Sequence, residues 1–133
     1  MDASGNALAL WTTRMTYVVS QNGASTNFGT SYELRSQRYD AASGWLPTHD
    51  TLDLGQTSEM ALALDDSGNG FAVGVNGSEV RAARWLAGAG WQPSIVLGSA
   101  SGSASPKIAL ARDGRAAALW RDGKDLIIRR FSE

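Results

Sequence analysis

Two clusters of arginine and aromatic residues recur at one interval. Arg38, Tyr39 and Trp45 are followed 46 positions later by Arg84, Trp85 and Trp91. Tryptophan faces stack on sugar rings and on cations, and arginine donates to hydroxyls and carboxylates in a fixed fork. Arg38, Tyr39, Trp45, Arg84, Trp85 and Trp91 are therefore a candidate carbohydrate or anion site, one set per repeat. The competing reading is structural: the tryptophans wedge between sheets and the arginines stack over them.

Other chemistry is thin. The single histidine, His49, lies in Pro47-Thr48-His49-Asp50, and no G-x-S-x-G nucleophile elbow accompanies it. With no cysteine, disulfides and thiolate metal sites are excluded, and one histidine does not make a zinc site. Asp50, Asp53, Asp65 and Asp66 are the close carboxylates. Paired carboxylates serve glycoside hydrolysis, but Asp65-Asp66 falls in a turn whose counterparts are Asp2-Ala3 and Ala111-Arg112, which assigns it to turn formation. No calcium-loop or phosphate-loop spacing occurs. The expectation is a chain that is not an enzyme and takes no cofactor or metal.

The net charge of 12 − 13 = −1 makes no case for nucleic acid or an anionic membrane as partner. The charge is uneven: residues 1–106 carry 5 basic and 9 acidic side chains, and residues 107–133 carry 7 and 4. That basic end reads as a solvated strand face. No apolar run approaches the ~18 residues that span a bilayer, so membrane insertion is not expected.

The elements that must position these residues follow from the same interval. Arg38 to Pro47 returns as Arg84 to Pro93, and Arg130-Phe131 begins the phrase a third time. A repeat in the forties with strand-like content is the signature of β-propeller blades, each a four-stranded meander A-B-C-D. In the full unit the strands are Met60 to Leu64, Phe71 to Val75, Glu79 to Trp85 and Trp91 to Leu97. Asp65 to Asn69 and Asn76-Gly77 form the turns between the first three. The first unit supplies B, C and D, and the third supplies A, B and C. The expected fold is all-β: ten antiparallel strands in three blades phased BCD–ABCD–ABC, in a single domain over 1–133, with blade 1 at 1–56, blade 2 at 57–102 and an incomplete blade 3 at 103–133. Alanines recurring in strand B (Ala7, Ala9, Ala72, Ala116, Ala118) predict close packing of neighbouring sheets.

The first blade departs from the repeat. Gly5 to Glu33 spans 28 positions where Gly68 to Glu79 spans 11, an excess of 28 − 11 = 17. A long β-hairpin inserted over 12–32 and turning at Asn22-Gly23 accounts for it. Pairing positions that sum to 45 places Met15, Tyr17, Val19, Phe28 and Tyr32 on one apolar face, which is expected to rest on its own blade or to serve as an arm for self-association or a partner.

These residues resemble bacterial propeller-repeat proteins of the secreted or cell-envelope kind. The pattern D-x-x-G-N-A-x-A-x-W, then R-Y-x-A-x-x-G-W, is carried by Asp2 to Trp11 with Arg38 to Trp45, and by Asp65 to Val75 with Arg84 to Trp91. The Gly-Trp after strand C is also similar to fucose-binding lectin propellers, which assemble from short multi-blade chains. These resemblances imply a propeller, an extracellular or envelope location, and a glycan as ligand. Three blades are fewer than the usual four to eight of a closed ring. The expectation is either part of a longer propeller or a unit that self-associates, a dimer giving six blades. The function expected is a non-catalytic binding or scaffolding module; the alternatives are lectin-like carbohydrate binding at blade gaps and a fragment of a propeller glycosidase or lyase.

Overall fold

The computed structural model describes residues 1–21, 25–55 and 59–131, with side chains outside 19–28. Among them the chain is all-β, with no helix of any kind and so none long and apolar enough to cross a membrane. The strands form three antiparallel sheets, none closed on itself. The first contains β1 (Ala7–Gln21), β2 (Ser25–Asp40), β3 (Gly44–Trp45) and β4 (Asp50–Leu52). The second contains β5 (Met60–Leu64), β6 (Gly70–Asn76), β7 (Glu79–Leu86), β8 (Gly90–Trp91) and β9 (Ile95–Ser99). The third contains β10 (Lys107–Leu110), β11 (Ala116–Asp122) and β12 (Asp125–Phe131).

Twelve strands appear among the described residues where ten were expected, because the outermost strand is broken each time. β3 and β4 both pair with β2, and β8 and β9 both pair with β7. Pro47 lies in the first gap and Pro93 in the second. Proline has no N–H to give the ladder, so the pairing stops and restarts beyond it.

The turns recur with the strands. Gly5, Gly68 and Gly114 have φ of 83°, 82° and 81°, a left-handed conformation that a Cβ disfavours. The β6–β7 and β11–β12 hairpins also match, but the turn sits one residue later than expected. Asn76 still pairs with Glu79, so Gly77-Ser78 are the central residues, with Gly77 at φ 61°. Gly123 repeats this at 62°, between paired Asp122 and Asp125. A positive φ at the first central residue is the type II′ arrangement, whose twist matches that of paired strands.

Alternation along the strands sends side chains to both faces of the second sheet. Ala72 and Ala83 face the first sheet and join Leu34, Leu52 and Leu54 in one buried cluster. Val73, Val75, Val80 and Ala82 point the other way and join Ala118 and Trp120 of the third sheet in a second cluster. The indole N–H of Trp120 donates to the Ser99 carbonyl at 2.8 Å. Its ring lies so close to Gly98 that a Cβ there would meet it at 3.0 Å. The alanines at 72 and 118 are fully buried, so strand B is small where sheets approach, as its composition led one to expect.

The long hairpin exists as extensions of β1 and β2, but its register differs by one. Observed partners sum to 46: Thr13 faces Glu33, Arg14 faces Tyr32, and Val18 faces Phe28. The base of the ladder sets this. Leu8 and Leu10 on β1, and Leu34 and Ser36 on β2, all turn toward the second sheet, which demands even positions opposite even ones. A one-residue slip would turn one strand's core residues to solvent. The expected turn at Asn22-Gly23 lies outside the described residues. Truncating Leu34, which is 1 % exposed at the centre of the first cluster, should cost about 2–5 kcal/mol. Chemical denaturation of Leu34→Ala against the unaltered chain measures it.

Candidate functional site

The arginine–aromatic sets are split by strand geometry. Neighbouring residues on a strand point to opposite faces, so Arg84 and Trp85 do not share a site. Arg84 lies opposite Phe71 on the ladder, with its guanidinium carbon 5.6 Å from that ring's centroid. Phe71 also stacks on Phe131 of the third sheet at 5.5 Å. Trp85 points the other way, toward the first sheet, edge-on to Trp91 at 5.5 Å and 68°. Trp91 reaches across the seam, and its indole N–H donates to the Ser36 hydroxyl at 2.7 Å. Arg84, Trp85 and Trp91 are thus seam residues.

The first set has the same internal geometry without a neighbouring sheet. Tyr39 and Trp45 meet edge-on at 5.4 Å and 69°. Trp45 is 54 % exposed, because the first sheet has nothing over that face. Arg38 pairs with Leu8 on the ladder and belongs to the opposite face. Of the six candidate residues, Tyr39 and Trp45 form the aromatic surface open to a ligand.

The carboxylates at the turns bond backbone. Asp65 accepts from the N–H groups of Ser67 and Asn69, both at 2.9 Å. Asp2 accepts in the same way from Ser4 and Asn6, again at 2.9 Å. The asparagine then bridges two turns. Asn6 accepts from Ala41 N–H and Asn69 from Ala87 N–H, each at 3.0 Å. The D-x-S-G-N motif is therefore a device that ties the A–B turn to the C–D turn. In the third sheet Arg115 stands in the asparagine's place, and Asp113 bonds Arg115 instead, at 2.8 Å from its side-chain Nε. His49 is exposed in the link between β3 and β4. Among the described residues no three of His, Asp and Glu converge on a point that could hold a metal.

The arm residues do not share a face. With partners summing to 46, Met15 and Tyr17 lie on the side opposite to Tyr32, and Phe28 falls in register with Val18. The side chains of Val19 and Phe28 lie outside those described. Tyr17 covers Gly29, where a Cβ would collide with its ring. Met15 takes a 3.9 Å contact to its sulfur from Arg35, whose other bonds go to Glu33 at 2.8 and 2.9 Å. Tyr17 and Tyr32 are exposed, one on each side. The single apolar face expected for this ribbon is replaced by two mixed faces.

Ser36 and Glu59 carry roles that aromatic and charge patterns did not mark. The interval of 46 carries Ser36 to Ala82 and then Ile128, so the hydroxyl that accepts from Trp91 is not itself repeated. Glu59 has no counterpart in the repeat. It accepts the N–H groups of Ala104 and Ser105 at 2.7 and 2.9 Å, pinning the link between the second and third sheets. The Ser103 hydroxyl, followed by those backbone donors, holds its pKa below the ordinary glutamate value.

Two outcomes test this assignment. Ser36→Ala leaves a seam indole N–H without its acceptor and should cost about 1–3 kcal/mol, whereas Trp45→Ala should change stability by less than about 0.5 kcal/mol; urea midpoints of the two variants separate them. Glu59 has a depressed folded pKa, so its contribution is complete above the unfolded value of about 4.3 and disappears as pH falls through the folded value. Melting temperature against pH over that acid window should be flatter in Glu59→Gln, with residual slope from Asp2, whose pKa the Asn6 side chain lowers.

Comparison with protein-family models, with curated proteins and with solved structures finds no match to this chain.

Proposed function

We propose that the chain is a non-catalytic binding or scaffolding module made of three consecutive β-propeller blades, which associates through the faces of its end sheets. The observation that carries this reading is that Trp91 and Phe131 pack, partly buried, into successive seams, while their counterparts Trp45 and Tyr39 lie on a face with no sheet over it, Trp45 being 54 % exposed. Three sheets with the strand sets BCD, ABCD and ABC, and turn glycines at matching φ, support the blade reading. The hydrogen-bonding groups that resembled catalytic or ligand-binding chemistry are taken up by turns and seams. Exposed sheet faces and edges favour association. Light scattering at micromolar concentration should give a mass above that of one chain, and negative-stain images should show ring-shaped particles; a stable monomer overturns the association.

A second reading has its own observation. Trp45, 54 % exposed and braced by Tyr39, is a ready platform for a sugar ring. On a glycan array this reading expects binding that Trp45→Ala abolishes. Hydrolysis of any glycoside in a matched panel would overturn the non-catalytic assignment.

A further inference from the structure

We propose that the outer face of the first sheet docks on the outer face of the third sheet of a second copy, head to tail, with Tyr39 and Trp45 seated over Ala117, Ile128 and Arg130. The proposal rests on the reading that end sheets associate, and it names the partner and the contact.

The two internal seams define what a seam requires, and the interval of 46 carries those requirements to the ends. In the first seam Trp91 meets Ser36. One step earlier Trp91 becomes Trp45, and two steps later Ser36 becomes Ile128. In the second seam Phe131 stacks on Phe71 beneath Arg84. Two steps earlier Phe131 becomes Tyr39; one step later Phe71 becomes Ala117 and Arg84 becomes Arg130. The counterparts of these contact positions are present, half on each outer face.

Both halves are already shaped. Tyr39 and Trp45 hold the edge-on pairing of Trp85 and Trp91 to within 0.1 Å and 1° (5.4 against 5.5 Å, 69° against 68°). Docking therefore costs little ordering of these two rings. On the third sheet, where alanine replaces Phe71, an open cavity of about 610 Å³ at the sheet's end is lined by Ala109, Ala117 and Arg130 of the outer face and by Leu110, Ala116 and Phe131 of the face that packs on the second sheet. An adjoining apolar groove of about 280 Å³ runs past Leu119 to Ile128, which is 60 % exposed. A tyrosine fills the room that the alanine opens, and Arg130 is placed to lie over its ring as Arg84 lies over Phe71. Ile128 accepts no hydrogen bond, so this seam is apolar where the first one carries the Trp91–Ser36 bond.

The charges agree. Residues 1–55 carry 3 basic and 5 acidic side chains, and residues 107–133 carry 7 and 4. The end that offers the aromatics is thus at 3 − 5 = −2 and the end that receives them at 7 − 4 = +3, a difference that favours head-to-tail encounter over like ends meeting. Such a contact is heterologous. Two copies close with two identical seams when the rotation permits, giving six sheets.

The test uses the full chain. Trp45→Arg and Ile128→Arg each change an exposed side chain, so the far-UV circular dichroism spectrum should match that of the unaltered protein, and melting should fall only by the stabilisation that association supplies. Each alone should weaken association at least about tenfold by light scattering. Mixed together they should recover a dimer, because the intact first sheet of one still meets the intact third sheet of the other; a contact between like faces gains nothing from mixing. The chain has no cysteine of its own, so Trp45→Cys mixed with Ile128→Cys should give a covalent dimer with a short bis-maleimide, and neither alone should. Association that survives both arginine variants, or cross-linking of either cysteine variant by itself, overturns this seam and leaves self-association standing by another surface. A monomeric unaltered chain overturns both.

Discussion

The second sheet presents apolar side chains on both faces, and the rest of the molecule is arranged to cover them. Residues 72 and 83 turn one way onto Leu34, Leu52 and Leu54; residues 73, 80 and 82 turn the other way onto Ala118 and Trp120. A strand alternates its side chains whatever its neighbours do, so a sheet built of apolar residues at both parities is unstable unless something packs on each side. The first and third sheets do that for the second, and each has one covered face and one open face. Small residues decide how close they come. Ala72, Ala118 and Gly98 leave room for Trp120 and for the leucines opposite.

That constraint explains where the motifs with chemical promise come to lie. Arginine and tryptophan adjacent in sequence are separated by the pleat, one into each seam. Arg84 lies over Phe71 and Trp85 against Trp91. Asp65 and Asn69 are spent on the backbone of two turns. These polar groups satisfy N–H donors that a tight turn leaves over. The corresponding aromatic pair at the first sheet's open face, Tyr39 and Trp45, has nearly the same ring geometry and a different environment. Position in the stack, and nothing in the local sequence, makes one pair a seam and the other a surface.

The strand plan was legible because turns punctuate it. Glycines at 5, 68 and 114 recur with the same φ, and Asp or Asn stands nearby each time. Details that depend on what lies across the ladder were not. The hairpin turns fall one residue after Asn76 and Asp122 because the paired ends are set by the ladder. The extended ribbon keeps the parity of Leu8 and Leu34, so a register inferred from a turn at Asn22-Gly23 was off by one and its apolar face dissolved into two. The breaks at Pro47 and Pro93 could have been read from proline's missing donor.

By itself the sequence determined the all-β character, the interval, the places of the turns and the alternation within each strand, since these follow from φ preferences and side-chain period along a single chain. Only the tertiary structure decided which face of each strand is buried, that Trp91 bonds Ser36 55 residues away, and that Trp45 and Ile128 stand open at opposite ends. Burial is a property of two surfaces meeting, and one strand's residues do not say which neighbour they meet.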